Sequence, residues 1–231
     1  MDYIAITPDV FELLTTTPQV DCHIPHYDNK ALVLYSLLAY RAGADLKFHT
    51  NKAAMCHIMG LVNRTENQRA IMNNLLKMQE DGIIEIKNID QSFFWIALNK
   101  DVFMPQDNYA IIHFKEFEYI FTQQNRDTLL MLLYHIKRHT HQNTRISFIS
   151  ERTLAGLTYL NRETVQNGLK KLRQNVFNTY KVQIKFNEGY PKTICYYKSL
   201  CDGSIDTNEI ENIAHQYYDN IKSITRKDNT K

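Results

Sequence analysis

Residues 150–172 read SERTLAGLTYLNRETVQNGLKKL, and this stretch decides how the fold is interpreted. Ser150 is a good helix N-cap, because its hydroxyl can accept a hydrogen bond from an unpaired helical N–H. After Asn161, apolar residues recur at i, i+4, i+7 and i+11, namely Val165, Leu169, Leu172 and Val176. This spacing is typical of the buried face of an amphipathic helix. The stretch therefore predicts a short helix, a turn and a longer helix.

Extended sequence follows the longer helix. Val182, Ile184 and Phe186 alternate with polar residues, and a turn at residues 187–189 (NEG) leads into the apolar stretch 193–197 (TICYY). Strict alternation is typical of a half-buried strand, and a short turn between two such strands predicts a β-hairpin.

A similar arrangement occurs earlier in the chain. Tyr3-Ile-Ala-Ile corresponds to Tyr109-Ala-Ile-Ile at an offset of 106 residues, and the apolar helix at 31–40 (ALVLYSLLAY) corresponds to the one at 128–136 (TLLMLLYHI). Two such copies predict one structural unit that is used twice. The expected order in each copy is a strand, three helices and a hairpin.

The middle of the first copy also matches the second. Thr50 is the expected N-cap that corresponds to Ser150. The apolar residues that match between the two shorter helices are Met55, Ile58 and Leu61 in the first copy and Leu154, Leu157 and Leu160 in the second. In the longer helix of the first copy the stripe consists of Ile71, Leu75 and Met78, and extended sequence follows at 82–86 and 93–98.

This order resembles the winged helix-turn-helix family of DNA-binding proteins. Residues 150–172 resemble its helix-turn-helix core, and residues 75–84 (LLKMQEDGII) resemble its junction between helix and wing. The leading Tyr/Ile strand joined to such a unit is also similar to replication initiators and replisome organisers of plasmids and phages in Gram-positive bacteria. The resemblance covers about residues 3–98 and 109–198.

The resemblance implies an α+β fold, mainly α, with two winged helix-turn-helix domains in tandem. We expect the first winged-helix domain at residues 1–104 and a second, basic one at 105–200. A C-terminal helix and a frayed tail are expected at 201–231. Within that last segment Ile210, Ile213, Tyr217 and Ile221 have helical spacing over residues 206–225. This helix either packs on the second domain or docks a second copy or a replication or transcription protein.

Charge is distributed unevenly along the chain. Residues 126–198 carry thirteen Lys and Arg against four Asp and Glu, a net charge of +9, whereas the whole chain is only +2. The remaining residues therefore sum to −7. A segment this basic attracts polyanions, of which nucleic acid is the commonest, although a merely solvated basic face is the alternative.

The exposed side of a recognition helix reads bases in the major groove. Arg suits guanine, Asn and Gln suit adenine, and Lys suits phosphates, which position the protein without reading sequence. In the second copy the predicted DNA-binding residues are Asn161, Arg162, Gln166, Asn167, Lys170, Lys171 and Arg173, together with Arg152, Lys185 and Lys192. In the first copy they are Arg64, Asn67, Gln68, Arg69, Asn74 and Lys77. A polar face is also what any exposed helix carries, and hairpin lysines are often plain surface.

The two copies differ in ways that bear on this prediction. The first has about five more residues between Leu61 and Ile71 than the second has between Leu160 and Val165, and the residues outside the basic segment are negative overall. The first copy therefore binds DNA more weakly, reads a different half-site or contacts a protein.

Other classes of protein are disfavoured by composition. The 231 residues are 44% hydrophobic and 23% charged, and they include only seven Gly and five Pro. There is no phosphate-binding glycine loop, nucleophile motif or recognisable carboxylate pair, so we expect neither an enzyme nor a cofactor. With no apolar run of the roughly 18 residues that a membrane span needs and no signal-peptide pattern, we expect a cytoplasmic protein that does not bind membranes.

Two clusters have the residue types of a metal site. Cys22, His23 and His26 lie close together, and His135, His139 and His141 end a predicted helix. Neither cluster has an evident fourth ligand, so we predict no metal. The four cysteines, Cys22, Cys56, Cys195 and Cys201, lack CxxC spacing and are expected to be free thiols.

These observations predict a sequence-specific protein that binds double-stranded DNA. A plasmid- or phage-type replication initiator or organiser is the leading role. The alternatives are a transcriptional regulator of a mobile element, which would read DNA with the same surface, and a winged-helix adaptor that contacts proteins instead of DNA. A homodimer is a further possibility through the C-terminal helix.

Overall fold

The computed structural model describes residues 2–15, 28, 30–42, 45–88, 93–141, 143–204 and 206–227. The chain divides into two compact units, Met1–Phe117 and Glu118–Lys231. Both contain helices and antiparallel sheets, and helix exceeds strand in the described residues. The predicted α+β class with a majority of helix is therefore confirmed.

The first unit contains five strands and five complete helices among its described residues. In chain order they are β1 (Tyr3–Ile6), α1 (Pro8–Thr15), α2 (Ala31–Ala42), β2 (Lys47–Thr50), α3 (Lys52–Ile58), α4 (Thr65–Glu80), β3 (Ile84–Lys87), β4 (Phe94–Leu98), α5 (Lys100–Phe103) and β5 (Ala110–His113). Strands β2, β4 and β3 form an antiparallel sheet in that order, with β4 in the centre. A further helix, α6 (Phe114–Phe121), continues from β5 across the division between the units.

Helix α2 lies in the core of the first unit and is buried around almost its whole circumference. Its Tyr35 is fully buried, donates a hydrogen bond from its hydroxyl to the Ala5 carbonyl at 2.9 Å, and stacks on Phe103 of α5 at 4.4 Å. A buried hydroxyl needs such a partner, because leaving it unpaired costs free energy. The Tyr35 side chain therefore joins β1 and α5 to the core.

A two-stranded antiparallel sheet pairs β1 with β5. Ala5 lies opposite Ile111, Ile4 opposite Ile112 and Ile6 opposite Ala110. Ala5 and Ile111 are also equivalent under the 106-residue offset between the copies, so the pairing is locally two-fold symmetric. One face of this sheet is buried, since Ile4, Ile6, Ala110 and Ile112 are all 1% exposed or less.

The second unit begins within α6 and carries most of the remaining strand. Its elements are α7 (Arg126–Arg138), β6 (Ile146–Phe148), α8 (Glu151–Thr158), α9 (Arg162–Asn175), β7 (Phe177–Phe186), β8 (Lys192–Ser199), a 3-10 helix (Leu200–Asp202), α10 (Thr207–Tyr217) and β9 (Ile221–Lys227). Four strands form one antiparallel sheet in the order β6, β8, β7, β9.

The same succession of elements occurs twice. Each copy runs strand, two helices, strand, two helices and two strands, from β1 to β4 and from β5 to β8. The predicted order of a strand, three helices and a hairpin is thus incomplete, because each copy has four helices and a further strand, β2 or β6, between the second and the third. The Ser150 cap is confirmed, since its hydroxyl accepts from the Thr153 N–H at 3.0 Å. The Thr50 cap is wrong, because Asn51 caps α3 through the Ala54 N–H at 2.7 Å.

The C-terminal segment differs from the prediction of one helix over residues 206–225. Helix α10 ends at Tyr217, Asn220 has a left-handed φ of 58°, and Ile221 begins β9, which pairs with β7. The left-handed residue after an extended Tyr218 turns the chain, and the β-branched residues that follow suit a strand. Arg226 and Lys227, expected in a frayed tail, are the last residues of β9.

The sheet of the second unit is covered on both faces. Neighbouring residues Tyr196 and Tyr197 of β8 point to opposite faces, yet both are at most 1% exposed. On the Tyr196 side, Ile210 and Ile213 of α10 are buried against the sheet. Ile210 and Ile213 of this helix therefore pack within its own unit, as the first of the two alternatives predicted.

Candidate nucleic-acid interface

Helix α9 has one fully buried face. Val165, Leu169 and Leu172 are all 0% exposed, as the predicted stripe requires. Gly168 lies on the same side, where a Cβ atom would overlap the Leu132 side chain of α7. The glycine thus allows a close approach between α9 and α7. Because this face is fixed against the unit, the opposite face is directed to solvent.

Exposed polar side chains lie at the start of α9 (Arg162) and on the face opposite the buried stripe (Asn167 and Lys170). The side chains of Arg162, Asn167 and Lys170 are exposed and form no hydrogen bond or ion pair with any described residue. Their guanidinium, amide and ammonium groups remain available to an external partner. The helix begins next to Asn161, whose side chain accepts from the Thr164 N–H at 2.8 Å. Asn161 is exposed, but one of its acceptors is used as the helix cap.

Two exposed residues of this face were not among the predicted ones. Glu163 and Gln174 are exposed and lie on the same side of α9 as Asn167 and Lys170. The helical period predicts that both positions are exposed, but only residue types that favour DNA near Asn161 were counted as candidates. Glu163 suits the amino group of cytosine, so an acidic side chain is compatible with base recognition.

Three predicted residues of α9 have partners within the unit. Gln166 donates to Glu151 Oε2 at 3.1 Å, and Lys171 Nζ donates to Asn125 Oδ1 at 2.8 Å. Arg173 Nη2 lies 3.3 Å from Glu151 Oε1 and donates to the Tyr197 hydroxyl at 2.9 Å. The expectation that Arg173 is an exposed DNA-binding residue is corrected, because its guanidinium is half-buried and joins α8, α9 and β8.

The electrostatics at Glu151 reflect these contacts. Partial burial raises the pKa of its carboxyl, but hydrogen bonds from Gln166 and Arg173 and the charge of Arg173 outweigh that effect. The pKa of Glu151 therefore lies below its ordinary value, and the carboxylate is the charged partner that Arg173 requires. On the other side of the same guanidinium, burial raises the pKa of Tyr197 to about 12, so its hydroxyl stays protonated.

Predicted residues outside α9 are exposed. Arg152 is in the first turn of α8, and Lys185 and Lys192 lie on β7 and β8 near the hairpin turn. Lys192 Nζ is 5.7 Å from the centre of the Phe186 ring, a cation–π distance. Tyr190, at the tip, is 92% exposed, and Tyr159, between α8 and α9, is 96% exposed with a left-handed φ of 54°. Sequence periodicity contained no signal for either tyrosine, because both lie outside regular elements.

The corresponding helix of the first unit, α4, offers fewer available groups. Arg64 and Arg69 are exposed without a described partner. Asn67 donates to the Val62 carbonyl at 2.8 Å, and Gln68 donates to Asn63 Oδ1 at 2.6 Å. These bonds stabilise the loop before α4, so both amides are used within the unit.

Two further residues of α4 are also engaged. Asn74 is 4% exposed, and its amide donates to Asp28 Oδ1 at 2.7 Å, so the expectation that it faces DNA is corrected. Lys77 Nζ lies 2.9 Å from Asp81 Oδ1, and this partner raises the pKa of Lys77. The chain up to residue 117 has ten Lys and Arg against fourteen Asp and Glu, whereas the remainder has seventeen against eleven. The net positive charge and most of the available polar groups of the two helices therefore lie in the second unit.

The cluster of His135, His139 and His141 does not form a metal site with other residues that the structure describes. No group of three or more described His, Cys, Asp or Glu side chains is arranged to hold an ion. His139 Nδ1 lies 2.8 Å from the His135 carbonyl oxygen, and His141 Nδ1 lies 3.3 Å from the Thr144 hydroxyl. The cluster of Cys22, His23 and His26 lies outside the described residues. Two of the cysteines, Cys56 and Cys195, are free thiols.

Comparison with known proteins adds no assignment. No family model matches the chain, and no curated protein is significantly similar to it in sequence. Among the described residues, no helix combines the length and the apolar character that a bilayer crossing requires.

Proposed function

We propose that the chain is a tandem winged-helix protein that binds double-stranded DNA, with α9 as its principal recognition helix. The observation that carries this proposal is that Asn167 and Lys170 are exposed on the side of α9 opposite its buried face, with Arg162 exposed at the start of the helix. A helix fits the major groove, where Arg and Asn make paired hydrogen bonds with bases and Lys neutralises phosphates. The β7–β8 hairpin that follows α9 has the position of a wing.

The fixed orientation of α9 supports this role. A recognition element must be held rigidly for its side chains to match base edges. Gly168 packs closely on α7, and Arg173 connects α9 to both α8 and β8. The residues with internal partners would hold the helix, while those without would contact DNA. In this proposal Lys185 and Lys192 on the hairpin contact the backbone beside the groove.

The role we propose is that of a plasmid- or phage-type replication initiator or organiser, acting in the cytoplasm. It rests on the similarity of the leading Tyr/Ile strand and the repeated unit to such proteins. A transcriptional regulator would use the same surface. The location of the bound site therefore separates the two roles, because an initiator has repeated sites at an origin and a regulator has an operator that overlaps a promoter.

The experiment that tests the proposal measures binding of the purified chain to fragments of its neighbouring DNA at low and high salt. The double variant Arg162→Ala/Lys170→Ala is expected to lose site-selective affinity by about tenfold or more, since one bidentate base contact alone is worth about 1–3 kcal/mol. Affinity should also fall steeply with salt, because each phosphate contact releases counterions.

A matched control is Lys52→Ala/Lys100→Ala, which removes two exposed cations of the first unit that lie outside α4. It should keep site-selective binding within about twofold, since such residues supply no base contact. Equal losses in the two variants would mean that only net charge matters. No preference for any fragment over random DNA would reject the specific-reader proposal and favour the adaptor.

A further inference from the structure

The outward face of the β2–β4–β3 sheet in the first unit is aromatic. Phe94, Ile96 and Leu98 point inward and are buried. The alternate residues point outward, and Phe93 and Trp95 are 50% and 47% exposed. These two side chains contribute little to the core, and adjacent exposed aromatics of this size mark interaction sites on soluble proteins.

The aromatic rings form a continuous group across two strands. His49 of β2 lies directly opposite Trp95 of β4, and the two rings are stacked with centroids 4.7 Å apart and planes 21° from parallel. The Phe93 ring centroid is 5.3 Å from that of His49. We call the group His49, Phe93 and Trp95 the aromatic platform; its rings are partly exposed, and exposed aromatic rings are what single-strand-binding proteins stack against nucleobases.

Cations lie on both sides of the aromatic platform. Lys87 of β3 is directly opposite Trp95, and Lys47 of β2 is two residues before His49 on the same face. The acidic group that this face contributes within the described strands is Glu85, 3.3 Å from Lys87. Both side chains of that pair are more than 60% exposed, so the ion pair is weak and does not withhold the lysine from a phosphate.

We propose that the aromatic platform binds single-stranded nucleic acid, with bases stacked on its rings and phosphates held by Lys47 and Lys87. A duplex is a poor fit because base pairing and stacking hide the faces of its bases. A protein partner is also a poor fit, since within β2, β3 and β4 the only outward aliphatic side chain is the small Ala97. The proposal goes beyond duplex recognition and does not depend on it, because it concerns another unit and another chemistry.

The chain contains a single tryptophan, and it lies in the aromatic platform, so its fluorescence reports directly on this surface. The probe is a thymidine oligomer of about 16 nucleotides, long enough for an ordinary single-strand site. Titration of the full chain with this oligomer should quench Trp95 emission to saturation. A duplex of the same length and an oligomer with abasic sugars throughout should both quench about tenfold less effectively, because neither presents stackable base faces.

Variants that keep the reporter test each component. Phe93→Ser should weaken oligomer binding by about tenfold, the loss expected for one stacked base. The variant Lys47→Glu/Lys87→Glu should weaken it at least as much, whereas the matched charge reversal Lys52→Glu/Lys100→Glu should have less than a threefold effect. Circular dichroism must show each variant folded, and these exposed substitutions should preserve the fold.

The outcomes distinguish this proposal from the preceding one. Arg162→Ala/Lys170→Ala should leave the quenching by the thymidine oligomer unchanged. The proposal is overturned if the oligomer does not change the Trp95 emission, or if the abasic strand or the duplex quenches it equally. An emission maximum that shifts with protein concentration alongside dimer formation in sedimentation also overturns it, since a second copy would then cover the aromatic platform.

Discussion

His135, in the buried part of α7, links stability to pH. Burial, with a smaller contribution from His139, lowers its pKa to about 4. An unfolded histidine has a pKa of about 6.5, so the unfolded chain binds a proton more readily between these values. The stabilising contribution of the neutral ring is complete above about pH 6.5 and is lost as the pH falls towards 4.

We therefore predict that His135→Leu flattens the pH dependence of the free energy of unfolding. The wild-type chain should lose up to about 3 kcal/mol through this group between pH 6.5 and pH 4. Urea unfolding across that range measures the effect. The matched variant is His215→Leu, on the exposed side of α10, which should keep the wild-type pH dependence. Parallel curves for wild type and His135→Leu would contradict the assignment.

The burial of a residue was predictable where the helical period determines it. It was not predictable where it depends on a hydrogen-bond partner far away in the sequence. The stripe of Val165, Leu169 and Leu172 follows from helical spacing alone, and all three are fully buried. Asn74 and Arg173 were expected on exposed faces because their residue types suit DNA. Their partners, Asp28 and Tyr197, are far away in sequence, so only the folded chain brings each pair together.

At the level of elements, the contacts of Arg173 determine how α8, α9 and β8 are held together. Its guanidinium reaches Glu151 at the start of α8 and Tyr197 on β8. We predict that Arg173→Met lowers the free energy of unfolding by about 1–2 kcal/mol, because a partly exposed charged hydrogen-bond network contributes less than a buried one.

Lys170→Met is the matched variant, since Lys170 is an exposed cation on the same helix. It should change the free energy of unfolding by less than about 0.5 kcal/mol. Urea denaturation of both proteins near neutral pH provides the comparison. Equal stabilities for the two variants would show that the Glu151–Arg173–Tyr197 network adds nothing to the fold.

Most elements of the fold were predictable, and the exceptions have physical causes. The presence of two copies, the two hairpins and α9 follow from apolar spacing, whereas the short strands β2 and β6 were not predicted. The C-terminal segment was predicted wrongly, because isoleucines at helical spacing continue past Tyr217 into β9. The turn residues Asp219 and Asn220 and the β-branched Ile221, Ile224 and Thr225 were the competing signal. That signal was weaker than the periodicity, and pairing of β9 with β7 determined the result.

On the scale of the whole molecule, β5 pairs with β1, a strand at the other end of the sequence of the first unit. A fragment of residues 105–231 keeps β5 but lacks β1, which exposes Ala110 and Ile112 and a row of unpaired backbone groups. We predict that this fragment forms a dimer by antiparallel pairing of two β5 strands centred on Ile111, because unpaired edges recruit other strands.

Sedimentation equilibrium at micromolar concentrations measures this association. The same fragment with Ile111→Pro should remain monomeric, because proline removes an N–H and disfavours a central strand position. In the full-length chain the edge of β5 that the fragment leaves open is already paired with β1, so the same association should not occur. A monomeric 105–231 fragment with intact secondary structure would contradict the prediction.

The pairing of Ala5 with Ile111 also has a consequence for how the protein behaves on dilution. Two separate chains that met through equivalent strands would dissociate as their concentration fell. Joining the strands in one polypeptide gives each an effective concentration of the other in the millimolar range, set by the intervening chain and not by expression level. The two-stranded sheet therefore stays formed in a cell that holds only a few molecules, which is the condition that the proposed binding to a single DNA locus would impose.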